Sequence, residues 1–99
     1  MERTVVIAVR EGLHARPAAL FAQAAASQPV PIRIAKPGGQ AVDAASILGL
    51  MTLGADAGDQ VVLTTESDGG EAAAALDALE QFLAQEDPTR PAAPQTEPA

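Results

Sequence analysis

The chain has 99 residues, enough for one hydrophobic core, with thirteen acidic groups against six basic ones and a net charge of −7. That balance excludes a nucleic-acid partner, because phosphate binding needs clustered Lys and Arg, and with two Phe, no Trp and no Tyr the chain has no stacking platform for bases. Cysteine is absent, which excludes disulfides, thiol catalysis and Cys-ligated metal together.

In chain order, Val5, Ile7 and Val9 alternate with Val6, Ala8 and Arg10, which predicts a strand with the first set facing a core. The run is too short for a signal-peptide core, and nothing approaches the roughly 20 apolar residues of a membrane helix. A cytoplasmic protein without membrane insertion is therefore expected. Gly12 ends the strand. Arg16-Pro17 then opens an Ala-rich helix running to about Ser27, with Ala18, Phe21 and Ala25 at helical spacing. Val30, Ile32 and Ile34 alternate again, and Pro37-Gly38-Gly39 turns the chain into a partner strand over Gln40–Asp43.

A short helix begins at Ser46 and includes Ile47, Leu50 and Met51. Gly54 and Gly58, with the aspartates around them, mark a loop. Gln60 to Glu66 reads as a strand with Val61, Leu63 and Thr65 on one face. Gly69-Gly70 leads into a last helix, where Ala72, Leu76, Leu79 and Leu83 form an apolar stripe and Glu71 complements the positive helix end. Beyond it, residues 86–99 hold four of the eight prolines and no Val, Ile, Leu or Phe. Such a stretch cannot bury enough apolar surface to offset its ordering entropy, so a disordered tail is expected after a domain of residues 1–85. Four strands and three helices in this order give an α+β fold, an antiparallel sheet covered by helices on one face and open to water on the other.

The single histidine is the candidate for chemistry. His14 lies between the turn at Gly12 and the helix start at Arg16-Pro17. Backbone N–H groups at a helix start have no internal acceptors, and the helix dipole adds partial positive charge there. A phosphoryl group on a ring nitrogen of His14 would meet the N–H groups of Ala15 and Arg16 and a guanidinium. The alternative is a histidine that caps the helix or packs at the surface, and local sequence alone leaves both open. One histidine without cysteine offers too few ligands for a metal site, and no nucleophile elbow supports a serine-type triad.

The string GLHARPA, Gly12 to Ala18, resembles the active-site signature of the HPr family of histidine-containing phosphocarriers in the bacterial phosphoenolpyruvate:sugar phosphotransferase system. A second block, Ala45 to Gly54, is similar to that family's regulatory-serine segment, departing from it at Ala45, where many relatives carry Lys. The resemblance implies an open-faced β-sandwich of order βαββαβα. It implies that Nδ1 of His14 accepts a phosphoryl group from phospho-enzyme I and passes it to sugar-specific enzyme IIA proteins. Arg16 would steady the phosphate and Pro17 would fix the helix start. Such a protein is a stoichiometric carrier, not a stand-alone enzyme, and no cofactor or metal is expected on it.

For Ser46, a helix N-cap is the plain physical role. The resemblance adds a second one, phosphorylation by an HPr kinase/phosphorylase that recruits a catabolite-control regulator. A regulatory binding module switched at Ser46 is thus the alternative function, beside a carrier serving a nitrogen-related or dihydroxyacetone-linked branch. Docking onto partners needs exposed apolar surface, for which Leu20, Ile47, Leu48 and Met51 are the candidates, while core packing claims Leu50 and Leu53. The acidic runs Asp56–Asp59 and Glu66–Glu71 read as solvated loops and caps. A monomer is expected, since no coiled-coil pattern or long apolar edge is present.

Overall fold

Alternating strands and Ala-rich helices assemble as their order predicts. The structure is a computed structural model and describes residues 1–88. Its elements are β1 (Glu2–Val6), α1 (Ala15–Ala26), β2 (Arg33–Ala35), β3 (Val42–Asp43), α2 (Ile47–Leu53), β4 (Gln60–Thr64) and α3 (Gly70–Leu83). The four strands form one sheet in the order β1-β4-β2-β3, antiparallel throughout. β4 holds it together, pairing along its length with β1, from Glu2 opposite Thr64 to Val6 opposite Gln60, and with β2 on its other side.

The helices bury a single core against the sheet. Val5, Ile34, Val61 and Leu63 face Ala18, Phe21, Ala25, Leu50, Ala75, Leu76, Leu79 and Leu83. Apart from Phe21, α1 brings small alanines to this core, while the other large side chains come mainly from the strands, α2, α3 and the segment 7–13. Phe21 on α1 meets Phe82 on α3 edge to face, with ring centroids 5.3 Å apart. At the sheet edge, Arg3 of β1 bonds Asp77 and Glu80 of α3. The hydrogen bond that Arg3 donates to Asp77, helped by the one it donates to Glu80, raises the guanidinium pKa above its ordinary value against a lowering by desolvation.

Four expected boundaries move. The strand expected over Gln60–Glu66 stops at Thr64, since Thr65 lies past the last ladder pair, its N–H donating to Met1 O at 2.8 Å and its Oγ1 to Ser67 O at 2.7 Å. Val5–Val9 is not the first strand: the ladder ends at Val6, and Ile7 bonds the loop instead, its N–H to Asp59 O at 2.9 Å and its carbonyl to Gly58 N at 2.8 Å. Ile7 and Val9 are nevertheless buried, so the alternation reported burial and not pairing. The second strand starts at Arg33 rather than Val30, as the missing N–H of Pro31 favours. Its partner is reduced from Gln40–Asp43 to Val42–Asp43, while the turn closes with Gly39 N on Lys36 O at 2.8 Å. Past α3 the chain still has partners: Ala8 N donates to Leu83 O and Arg10 N to Glu86 O, so Glu86 is tied to the strand side of the fold. Most of the expected tail, residues 89–99, lies outside the described residues.

Candidate functional site

The turn before α1 has buried shoulders and an exposed crown. Leu13 is fully buried, its N–H donating to Ala55 O at 2.9 Å, and Pro17 and Ala18 are buried in the first helical turn. Between these anchors, His14, Ala15 and Arg16 face outward. His14 is the N-cap residue in extended conformation, φ −126° and ψ 156°, and its side chain makes no capping hydrogen bond. The capping role left open by the sequence is thus not the one adopted. The imidazole is 40% exposed and its Nε2 lies 2.6 Å from Asp56 Oδ1, while Nδ1 has no hydrogen-bond partner among the described residues.

Ala15 follows with φ +50°, the one non-glycine with positive φ among the described residues. This left-handed kink turns the chain from the extended His14 into the helix and carries strain, on the order of 1 kcal/mol for a side chain with Cβ. Pro17, with no N–H to satisfy, occupies the first turn without cost. The amides of Ala15 and Arg16 belong to the helix start, where no intrahelical acceptor exists. Arg16 is exposed, and no described residue forms a hydrogen bond or ion pair with its side chain. The Arg16 guanidinium, the amides of a helix start and the outward His14 ring thus belong to three consecutive residues at the surface.

Sequence reasoning missed Asp56. Expected to be part of a solvated acidic loop, it is instead the partner of His14, across 42 residues of chain. The loop is pinned beside the turn by the Leu13–Ala55 bond, and Gly12 permits the approach. A Cβ at Gly12 would sit 2.7 Å from Ala55 O and 2.9 Å from Asp56 Cα. Nothing local to either segment announces this meeting; the glycine was legible only as a strand breaker.

Ser46 is the N-cap of α2, its Oγ accepting from Gly49 N at 3.0 Å, as its residue type predicts. It stands at the end of α2 away from Gly54 and the Asp56 loop, a helix length of about 10 Å, and no hydrogen bond links it to His14. Between these ends α2 turns an apolar face outward: Leu48 is 77% exposed, Met51 49% and Ile47 45%. Leu50 is buried and Leu53 packs on the core, as expected. Leu20 is half-buried on α1, which contacts α2. No group of three or more metal-ligating side chains occurs among the described residues, and no helix there is long and apolar enough to cross a membrane.

Comparison with known proteins agrees with this fold. The family model for the PTS HPr component phosphorylation site matches residues 1–85. Phosphocarrier protein HPr of Streptomyces coelicolor is 45% identical over 84 residues, which cover 85% of this chain and 88% of that one. The HPr-like protein Crh of Halalkalibacterium halodurans is 41% identical over 86 residues, covering 87% of this chain and 99% of the relative. Among solved structures, HPr of Bacillus anthracis superposes with a TM-score of 0.76 at 38% identity, covering 84% of this chain and 95% of that one. With the open-faced fold, the outward histidine at a helix start and these relatives in agreement, the chain belongs to the HPr family of phosphotransferase-system phosphocarriers.

Proposed function

We propose that this protein relays a phosphoryl group through Nδ1 of His14, taking it from phospho-enzyme I and delivering it to enzyme IIA proteins in the cytoplasm. The observation that carries the reading is the exposed His14 ring with its Nδ1 unengaged at the start of α1. In the step, the Nδ1 lone pair forms a bond to phosphorus while the bond from phosphorus to the donor breaks and its electron pair leaves with the donor. The amides of Ala15 and Arg16 and the Arg16 guanidinium meet the phosphoryl oxygens, where a helix start favours negative charge. Return of the group to an acceptor reverses these events, so the protein acts as a carrier and not as a stand-alone enzyme. Ile47, Leu48, Met51 and Leu20 supply an apolar surface for partners, with Met adaptable enough for more than one of them.

His14→Ala tests the relay. The variant folds as the parent does but takes no label from radioactive phosphoenolpyruvate and enzyme I, whereas the parent takes one acid-labile, base-stable phosphoryl group. Full labelling of the variant refutes the assignment. A second reading, regulation through phosphorylation of Ser46, is favoured by the Crh-named relatives and by the half-exposed position of Ser46. Label that survives acid and disappears in Ser46→Ala, after incubation with ATP and an HPr kinase, is its signature.

A further inference from the structure

We infer that Asp56 is a positioning residue for His14: its carboxylate keeps the ring proton on Nε2 and so reserves the Nδ1 lone pair for phosphorus. The inference rests on the reading of His14 as the phosphoryl carrier. An ionised carboxylate only accepts hydrogen bonds, so the 2.6 Å contact between Nε2 and Asp56 Oδ1 places the proton of a neutral ring on Nε2. Carboxylate partners of this kind fix ring tautomer and orientation and raise the basicity of the opposite nitrogen.

The carboxylate is delivered by a braced loop. Asp56 N donates to Asp59 Oδ2 at 2.9 Å and Asp59 N to Asp56 O at 3.0 Å. The same turn is stitched to Ile7 on one side and to Leu13 on the other. Lys36 closes it from the sheet, its Nζ donating to Gly54 O at 3.2 Å and lying 3.8 Å from Asp59 Oδ2. Asp59 and Lys36 are thus engaged with the loop, and the Asp56 side chain is left for the ring.

The consequence for transfer follows from charge. As the bond from Nδ1 to phosphorus forms and that from phosphorus to the donor breaks, the Nε2 proton stays in place and the ring becomes positive. The Asp56 carboxylate offsets that charge on the side opposite the phosphoryl group. When the group leaves for an acceptor, the ring returns to the same neutral tautomer, ready for the next cycle.

The test is Asp56→Ala, in an exposed position whose side chain has no other partner among the described residues. Nitrogen NMR shifts of the His14 ring are read on the isotopically labelled, unphosphorylated protein, at a pH above the imidazole range. In the parent Nε2 is protonated and Nδ1 is of pyridine type; in the variant the two nitrogens move towards averaged values as both tautomers populate. The initial rate of labelling from phospho-enzyme I falls about tenfold in the variant while the final stoichiometry stays the same. An unchanged ring spectrum, or an unchanged rate, overturns the inference. So does a slower variant whose ring nitrogens have not moved, because the loss then comes from elsewhere. A parent protein that takes no label on His14 overturns the phosphocarrier reading instead, and the parent's ring spectrum still tests the tautomer separately.

Discussion

Gly12 is the point on which the site's geometry turns. Its φ of +71° favours glycine, and the space for a Cβ is already taken by backbone of the facing loop, Ala55 O and Asp56 Cα. Backbone cannot swing aside as a side-chain tip can, so Gly12→Ala has to push the Asp56 loop away from the His14 turn. We expect a stability loss of about 2 kcal/mol, from the left-handed conformation plus the overlap. Labelling of His14 should slow as well, because the partner of Nε2 is displaced. A urea melt and a transfer assay read the two effects, and a variant indistinguishable from the parent in both would remove the close approach from the account. At this scale the sequence pointed to His14 and Arg16 as candidates, since each is placed by its own helix start. It did not disclose Asp56, which meets the ring only because two distant loops are held together by the Leu13–Ala55 bond.

Elements were legible where a local interaction defines them. The start of α2 is one such place: Ser46 is a good N-cap residue and its Oγ does accept from Gly49 N. Ser46→Ala removes that acceptor and should cost about 1 kcal/mol by chemical denaturation without touching His14 labelling. A variant as stable as the parent would mean that water serves the helix start equally well. Strand limits were less legible, because the alternation of Val5, Ile7 and Val9 records which side chains are buried and says nothing of which amides find a partner. Ile7 keeps its inward side chain but leaves the ladder to hold the Asp56 loop, an arrangement set by tertiary contacts. The Arg3 bridge from β1 to α3 was equally hidden, since Asp77 lies 74 residues away. Because the Arg3 pKa is raised on folding, its contribution is fully present below the ordinary arginine range and is lost only as pH climbs through the folded value, far into alkali.

For the whole molecule, fold class followed from element order and composition, but the strand order β1-β4-β2-β3 depends on long-range pairing that no local pattern encodes. The same composition sets where the molecule is most vulnerable. Two Phe serve the entire chain, and they meet each other across α1 and α3. Phe21 is fully buried, while its buried neighbours on α1, Ala18, Ala22 and Ala25, are too short to collapse into a space it vacates. Phe21→Ala should therefore leave most of its cavity unfilled and cost about 3–5 kcal/mol, a large share of the ~5–15 kcal/mol that stabilises a typical domain. Phe21→Leu, which keeps a branched apolar side chain in the space, should cost less. Because Phe21 points into the core and the crown at His14 points out, the folded fraction of either variant should still take label at His14. Urea midpoints in the order parent, Leu, Ala, with labelling that tracks only the folded fraction, would separate the support of the scaffold from the chemistry of the site. A small shift for Phe21→Ala would show that the alanines of α1 do close over the gap.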